Sequence, residues 1–435
     1  MSAAIPGDGW RPTAAYVRAA VPAVVLVVVA LVWRRPDLLV IAAPFAVVTG
    51  WATLVRPTDT PSIDDGVVHP TIREGDATRW RGRVTSPDGL DMATASIRCD
   101  PWVETKPARG AIAVAGADRI TELDIAVRST RWGGRVIERV HVSATSVWGA
   151  FRWSEVTPPR VVTTLPLPAV FDVGASPRPS DGLIGLHRST RGGEGNEFAG
   201  IRTFRSGDRL RRINWPRSAR SGELLVNATW ADLDTHVALV LDVDDLGVSD
   251  GIDGRASSLD AGVRAAGAIA EHYATRGERV SLRTFGGVVT ESVAPGTGRG
   301  QLRRTLDTLA RVRPAPSRRP FSSSQVSRWR HVSTTGQMTV MLSPMIAPDA
   351  LDLAVLLARQ GHAVVVIDTL PDHVVVDDDQ LTSLAWRIRL LERRRELRLM
   401  TAAGIPVVEW RGPGSLDQVI RDIARRTTGP RLVRR

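Results

Sequence analysis

The sequence holds one cysteine, Cys99, and one lysine, Lys106, in 435 residues. A lone thiol excludes an internal disulfide framework, and no Cys/His run has zinc spacing, so a Cys-based metal site is excluded too. Aromatic residues make up only 5% of the chain, and no recognised nucleic-acid-binding signature accompanies the basic residues. Also missing are a phosphate-cradling GxxxxGK[ST] loop, an HExxH zinc helix and a GxSxG nucleophile elbow. Gly192-Gly193-Glu194-Gly195 reads without the preceding strand and following helix that a phosphate loop requires. No Ser/His/Asp set is evident, and His69 and His141 stand isolated in strand-like runs. The chain is therefore expected not to be an enzyme.

What is abundant is arginine. Lys106 is the one lysine among 57 basic residues, which face 46 acidic ones for a net charge of +11. Arginine is always charged and grips carboxylate or phosphate through a planar fork, so the excess favours anionic partners. Hydrophobic content of 43% and charged content of 24% are those of a globular chain, and the length suits two or three folded units.

Two apolar runs, Val17 to Trp33 and Leu38 to Val55, are joined by Arg34-Arg35-Pro36-Asp37. Each is long enough as a helix to cross a hydrocarbon core of about 30 Å, and neither has a polar face. The short link makes them a hairpin, with residues 1–16 as an N-terminal tail on the same side as the body. Arg11, Arg18, Arg56, Arg73 and Arg79 flank the pair and outnumber Arg34 and Arg35 in the link. The positive-inside rule then places the bulk of the chain in the cytoplasm, anchored by two passes through the cell membrane.

Residues 60–165 alternate in short runs separated by Pro, Gly and Asp at roughly ten-residue intervals, which predicts an antiparallel β-sandwich. The Pro-rich passage from Thr157 to Pro179 reads as an extended connector, with residues 166–184 as the segment between the domains. From residue 231 to 435, short continuous apolar runs alternate with amphipathic ones. Strands are predicted at 236–243, 279–285, 337–342, 363–368 and 405–409, and helices at 259–276, 301–311, 350–360, 381–403 and 416–426. This is the pattern of a doubly wound α/β domain with a parallel sheet covered on both faces. Gly277, Gly361 and Gly404 directly follow three of the predicted helices, as left-handed caps require. The Arg-rich helix WRIRLLERRRELR at 386–398 would turn Leu390, Leu391 and Leu397 to the sheet and its charges outward. Nucleic acid is the weaker reading of that charge.

Between these domains, residues 185–230 form the most patterned stretch. From His187 to Trp230 nine arginines meet only Glu194, Glu197, Asp208 and Glu223, so about half of the net charge lies in a tenth of the chain. Phe198, Ile201, Phe204, Ile213, Trp215, Leu224 and Leu225 are interleaved with them. Acid and base alternate as in an ion-pair network that fixes a loop. His187, Arg188, Glu197, Phe198, Arg202, Asp208, Arg211, Trp215 and Arg220 are the candidate interaction or interdomain residues.

The series HRS, GxGxEF and IRxFRxGDxLRRINWxxSARxGxL resembles the domain of unknown function 58 family, bacterial proteins encoded beside MoxR-type AAA+ ATPases. Phe204 stands where Tyr is commoner and Asn214 where Asp also occurs. The resemblance implies two membrane helices, a β region, this segment and a von Willebrand factor A-like domain. It also implies a partnership with a MoxR-type AAA+ ATPase in assembling or maintaining cell-envelope complexes. The expected function is thus a membrane-anchored protein-interaction module. The alternatives are a metal-dependent adhesion-type binding protein or, behind it, a binder of nucleic acid or anionic surfaces.

A von Willebrand A domain with a metal-dependent adhesion site carries DxSxS after its first strand and an Asp at the end of a later one, all oxygen donors suited to Mg²⁺ or Ca²⁺. Here the first strand ends Asp242-Val243-Asp244-Asp245-Leu246, so Leu246 stands at a ligand position, and the later strand ends Leu342-Ser343-Pro344. Asp242, Asp244 and Ser343 are the remnants of that degenerate site. Asp368 is a further carboxylate at a strand end. An arginine of the 188–220 segment is the expected counter-charge, and no cofactor is expected beyond this divalent-metal alternative.

Overall fold

The computed structural model describes residues 9–116, 119–167, 192–205, 208–230, 236–244, 257–286, 290–314, 338–371 and 380–411, with backbone only at 192–197, 199, 229 and 230. The chain divides into two units, Met1–Leu165 and Pro166–Arg435.

The first unit begins with two helices, α1 (Ala14–Trp33) and α2 (Asp37–Leu54), each long and apolar enough to cross a membrane. Thr13 starts α1 by accepting from the Tyr16 amide through Oγ1 at 3.2 Å, which satisfies one of the free amides of the first turn. The same hydroxyl donates to the Gly149 carbonyl at 2.7 Å, so the helix start is tied to the β body. The exit of α2 is tied as well: Arg56 donates to the Trp10 carbonyl at 3.2 Å, and buried Trp10 donates from its indole to the Asp59 carbonyl at 2.8 Å.

The β body contains β1 (Arg11–Pro12), β2 (Ser62–Val67), β3 (Thr71–Arg73), β4 (Ala77–Thr85), β5 (Met92–Ser96), β6 (Val103–Lys106), β7 (Ala111–Ala115), β8 (Ile120–Ser129), β9 (Gly133–Ile137), β10 (His141–Ser146), β11 (Phe151–Val156) and β12 (Arg160–Leu165). They form sheets of order β1-β11-β10-β5-β7, β2-β4-β8-β6 and β3-β12-β9. Strand β4 shows why. Thr78, Trp80 and Val84 are buried while Arg79, Arg81 and Arg83 are exposed, the period of two that a half-covered strand needs. On the outer face Arg79 meets Asp124 of β8 at 2.8 Å and Arg83 meets Glu122 at 3.2 Å, the cross-strand pairing expected of opposite charges. Trp80, Leu123, Ile137, Val142, Trp153 and Val162 from all three sheets share one core.

Two sequence expectations change here. Residues 160–165 are not part of an extended surface connector; they form β12, parallel to β3 and antiparallel to β9. Pro158 and Pro159 end at the strand's threshold, and Arg160 is held by an ion pair to buried Asp65 at 3.0 Å. Also, the runs are not all separated by Pro, Gly or Asp, since Glu138, Arg139 and Val140 alone divide β9 from β10.

The second unit opens with β13 (Gly192–Thr203) and β14 (Leu225–Trp230), an antiparallel ribbon enclosing a 3-10 turn, Leu210–Arg212, and a short helix α3 (Trp215–Ser221). A six-stranded sheet follows: β15 (His236–Asp242), β16 (Arg279–Phe285), β17 (Ser292–Gly296), β18 (Met338–Ser343), β19 (Ala363–Asp368) and β20 (Val407–Glu409). Its order is β17-β16-β15-β18-β19-β20, and every neighbouring pair is parallel except β16 with β17. The edge strand β17 went unread in the sequence because Pro295 and Gly296 break its apolar pattern.

Helices α4 (Ser258–Thr275), α5 (Gly298–Leu309), α6 (Pro348–Arg359) and α7 (Gln380–Ala402) complete the described part. A β-carbon added at Gly262 of α4 would stand 2.9 Å from Leu241 Cδ1, which places α4 on the Leu241 face of the sheet. Val240, Met341 and Val366 turn the other way and pack with Ala350, Leu353 and Leu357 of α6 and Met400 of α7. Helices thus lie against both faces. Gly277, Gly361 and Gly404 do take left-handed φ values of +82°, +89° and +86° after α4, α6 and α7. The helix expected at 416–426 and most of the connector lie outside the described residues.

Helix α7 sits only in part as its sequence suggested. Leu397 packs against the core of the sheet and Leu390 is half-buried, but Leu391 is exposed and Arg393 joins Met400 on the buried side, so the stripe facing the sheet carries arginine as well as leucine.

Candidate functional site

The arginine-rich ribbon is built on local signals. Asn214 caps α3, its Oδ1 accepting from the Arg217 amide at 3.2 Å, and its Nδ2 donates to Asn227 Oδ1 of β14 at 2.9 Å. Pro216 sits in the first turn, where its missing N–H costs nothing. Gly222, at φ +75°, ends the helix in the left-handed conformation that a β-carbon disfavours. Buried Ser218 accepts from the Leu225 amide at 2.8 Å, which binds the helix to β14.

Within this frame the candidate residues divide. Arg202 grips Asp208 with two hydrogen bonds of 2.7 and 2.6 Å, and Asp208 also accepts from the Arg205 amide at 2.8 Å. The Arg202 guanidinium, followed by the Arg205 amide, draws the Asp208 carboxyl down to about 2. These two residues close the turn between β13 and α3 and so serve the fold. Arg211 and Arg220 are exposed and form no hydrogen bond or ion pair among the described residues. Trp215 is 63% exposed, and Phe198, Leu210 and Leu224 also face outward, while Ile213 and Val226 supply the buried side. His187 and Arg188 lie outside the described residues, as does the side chain of Glu197, whose backbone is in β13.

The second candidate lies at the carboxyl edge of the parallel sheet, where α/β sheets usually present ligand groups. Buried Asp242 at the end of β15 accepts from the Asp244 amide at 3.0 Å through Oδ1 and from Ser343 Oγ at 2.6 Å through Oδ2. Ser343 in turn accepts from the Met345 amide at 2.9 Å. Asp242, Asp244 and Ser343 are therefore together, as their positions at neighbouring strand ends require. Burial pushes the Asp242 carboxyl up to about 7, against the pull of the two hydrogen bonds. Gly286, at φ +89°, lies so close that a β-carbon there would be 3.1 Å from Asp242 Oδ1.

The counter-charge at this edge does not come from the 188–220 segment among the described residues. Buried Arg393 of α7 forms an ion pair with Asp368 and donates from Nε to the Pro344 carbonyl at 2.7 Å. One turn earlier Arg389 donates to the Ile346 carbonyl at 3.0 Å and pairs with Glu396 at 2.8 Å. Burial raises the Asp368 carboxyl, and Arg393 opposes that rise. These donors fit a divalent cation poorly. Both Asp242 oxygens are occupied by protein donors, a guanidinium already serves Asp368, and no group of three His, Cys, Asp or Glu among the described residues is arranged to hold a metal.

Sequence reading missed Arg389 and Arg393. Their signal was present as spacing: Trp386, Arg389, Leu390, Arg393, Leu397 and Met400 recur at three and four residues, the stripe of one helix face.

Residues 200–378 match the family model described as protein of unknown function DUF58, and the match supports that family for this stretch. No curated protein matches the chain. Among solved structures, the cupredoxin domain of amoB from Nitrosocaldus yellowstonii is similar at 11% identity and TM-score 0.17, over 25% of this chain and 88% of that one. The bacterial hydrophobin BslA is similar at 8% identity and TM-score 0.16, over 25% of this chain and 97% of that one. Superpositions this loose define no shared fold.

Proposed function

We propose that the chain is a membrane-anchored docking module. Its second unit is a doubly wound, von Willebrand factor A-like domain, and its client machinery is a MoxR-type AAA+ ATPase acting on cell-envelope complexes. The observation that carries this reading is the exposure of the segment held by the ribbon, where Trp215 is 63% exposed and Arg211 and Arg220, near it in sequence, are exposed as well. An exposed indole together with exposed guanidiniums without described partners offers what a protein-binding surface uses, an apolar anchor and charge-assisted bonds for acidic groups. The sheet order and the helices on both faces support the von Willebrand A-like reading, and the family match at 200–378 supports the link to the resembled family. The body lies on the cytoplasmic side in this proposal. Docking in this reading needs no divalent cation: both Asp242 oxygens accept protein hydrogen bonds and Arg393 pairs with Asp368.

The test is affinity recovery of the full chain from gently solubilised membranes with and without ATP. An AAA+ ATPase should be retained. Replacing Arg211 and Arg220 by Ala should abolish its recovery while leaving the melting temperature unchanged. A large fall in melting temperature would instead assign those arginines to intramolecular stapling, and absence of any AAA+ ATPase under conditions that keep weak complexes would remove the reading.

A further inference from the structure

Helix α7 carries a second stripe opposite the one that packs on the sheet. Leu381, Leu384, Ile388, Leu391 and Leu399 are each between 50% and 76% exposed. At about 100° per residue these five fall within roughly 80° of arc, on the side of the helix away from Arg393, Leu397 and Met400. Five outward aliphatic side chains in register on one helix exceed the scatter of single apolar residues normal to a protein surface.

The charges around the stripe say what kind of surface it meets. Exposed Arg387, Arg394 and Arg398 line one flank. On the other flank Glu392 is drawn into a pair with Arg389 at 3.4 Å, which offsets its charge. Arg395 lies within the stripe, and its long stem can follow the leucines while its head reaches water. A helix with leucine and isoleucine on one face and arginines beside them suits the boundary between acyl chains and anionic headgroups. The chain also carries two helices able to cross a membrane, so this face would act at high local concentration near a bilayer, where even weak binding suffices.

We propose that the outer stripe of α7 is an interfacial membrane-binding face selective for anionic lipid. It rests on the reading that α1 and α2 are embedded in a membrane, and is independent of any ATPase partner.

The full chain with Cys99→Ser is reconstituted into nanodiscs of phosphatidylglycerol or of phosphatidylcholine, with single cysteines at Leu391→Cys, Val28→Cys or Arg303→Cys carrying an environment-sensitive fluorophore. With phosphatidylglycerol, the label at residue 391 should shift to the blue and be quenched by brominated acyl chains. The shift should be lost in phosphatidylcholine or at high salt, while the label at the exposed residue 303 stays in water. The label at residue 28 checks the embedding separately: if it escapes quenching, the membrane reading of α1 fails, and vesicle binding by the same protein then tests α7 alone. A label at residue 391 that remains in water with phosphatidylglycerol overturns the proposal. So does one shielded equally in both lipids in a protein-concentration-dependent way, which would assign the stripe to a second copy of the chain.

Discussion

At the scale of single residues, Asp242 is the most perturbed group with a defined hydrogen-bond set. Burial raises its carboxyl to about 7 from an ordinary 3.8. Between those values the folded chain holds a proton that the unfolded chain has released, so stability contributed at this residue falls as pH rises from about 4 to about 7 and is level above. His272 has the opposite slope. Burial, helped by the Arg276 charge, lowers it to about 4 from 6.5, so its contribution is present above 6.5 and lost as pH falls through 4. The two gradients largely cancel in the parent protein. Asp242→Asn keeps an amide able to bond Ser343 and removes the titration, so its stability should gain on the parent as pH rises, by about 4 kcal/mol between acid and neutral pH, read as a rising difference in melting temperature. Thermal melts of the full chain from pH 4.5 to 8 measure this. An Asn variant whose profile tracks the parent at every pH would show that Asp242 is ionised in the fold.

At the scale of elements, legibility followed periodicity. Strands such as His236–Asp242 and Met338–Ser343 are continuous apolar runs, and the caps at Gly277, Gly361 and Gly404 are local chemistry, so both could be read along the chain. Strand β12 could not, because its place depends on β3 and β9, distant in sequence, and its neighbourhood is rich in proline. The packing of α7 was hidden for another reason: a buried arginine on an inner stripe makes sense only once Asp368 and the Pro344 carbonyl are known to lie opposite. That contact joins α7 to β19 and to the loop after β18, and it sets the orientation of the helix. Removing one member of a buried pair strands a charge, whereas removing both does not. Arg393→Met should therefore cost about 3–5 kcal/mol, with much of it recovered when Asp368→Asn is added. Chemical denaturation of the four proteins of the cycle would show it; additive losses from the two single changes would mean the pair is not coupled. Neither single variant nor the parent should melt higher with millimolar Mg²⁺ or Ca²⁺.

At the scale of the whole molecule, anchoring and orientation are one problem in charge. Helix α1 begins and helix α2 ends in tight contacts of their own unit, through Thr13 to Gly149 and Arg56 to Trp10, so the hairpin is tied to the β body that follows it. The side they occupy is then decided by which arginines resist translocation. Arg34 and Arg35 lie in the link, whereas Arg11, Arg18, Arg56, Arg73 and Arg79 lie within reach of the helix ends on the body side. The larger set should keep the body cytoplasmic. Arg202, Arg393, Arg79 and Arg83 are already paired with Asp208, Asp368, Asp124 and Glu122, which leaves those four guanidiniums less available to phosphate. A cysteine at Arg303→Cys in a Cys99→Ser background should resist a membrane-impermeant maleimide in intact cells and react after permeabilisation. Changing Arg34 and Arg35 to Gln should leave that pattern intact, whereas removing Arg11, Arg18 and Arg56 should weaken it. Full labelling of residue 303 in intact cells would place the body outside, where a cytoplasmic ATPase cannot reach the Trp215 surface.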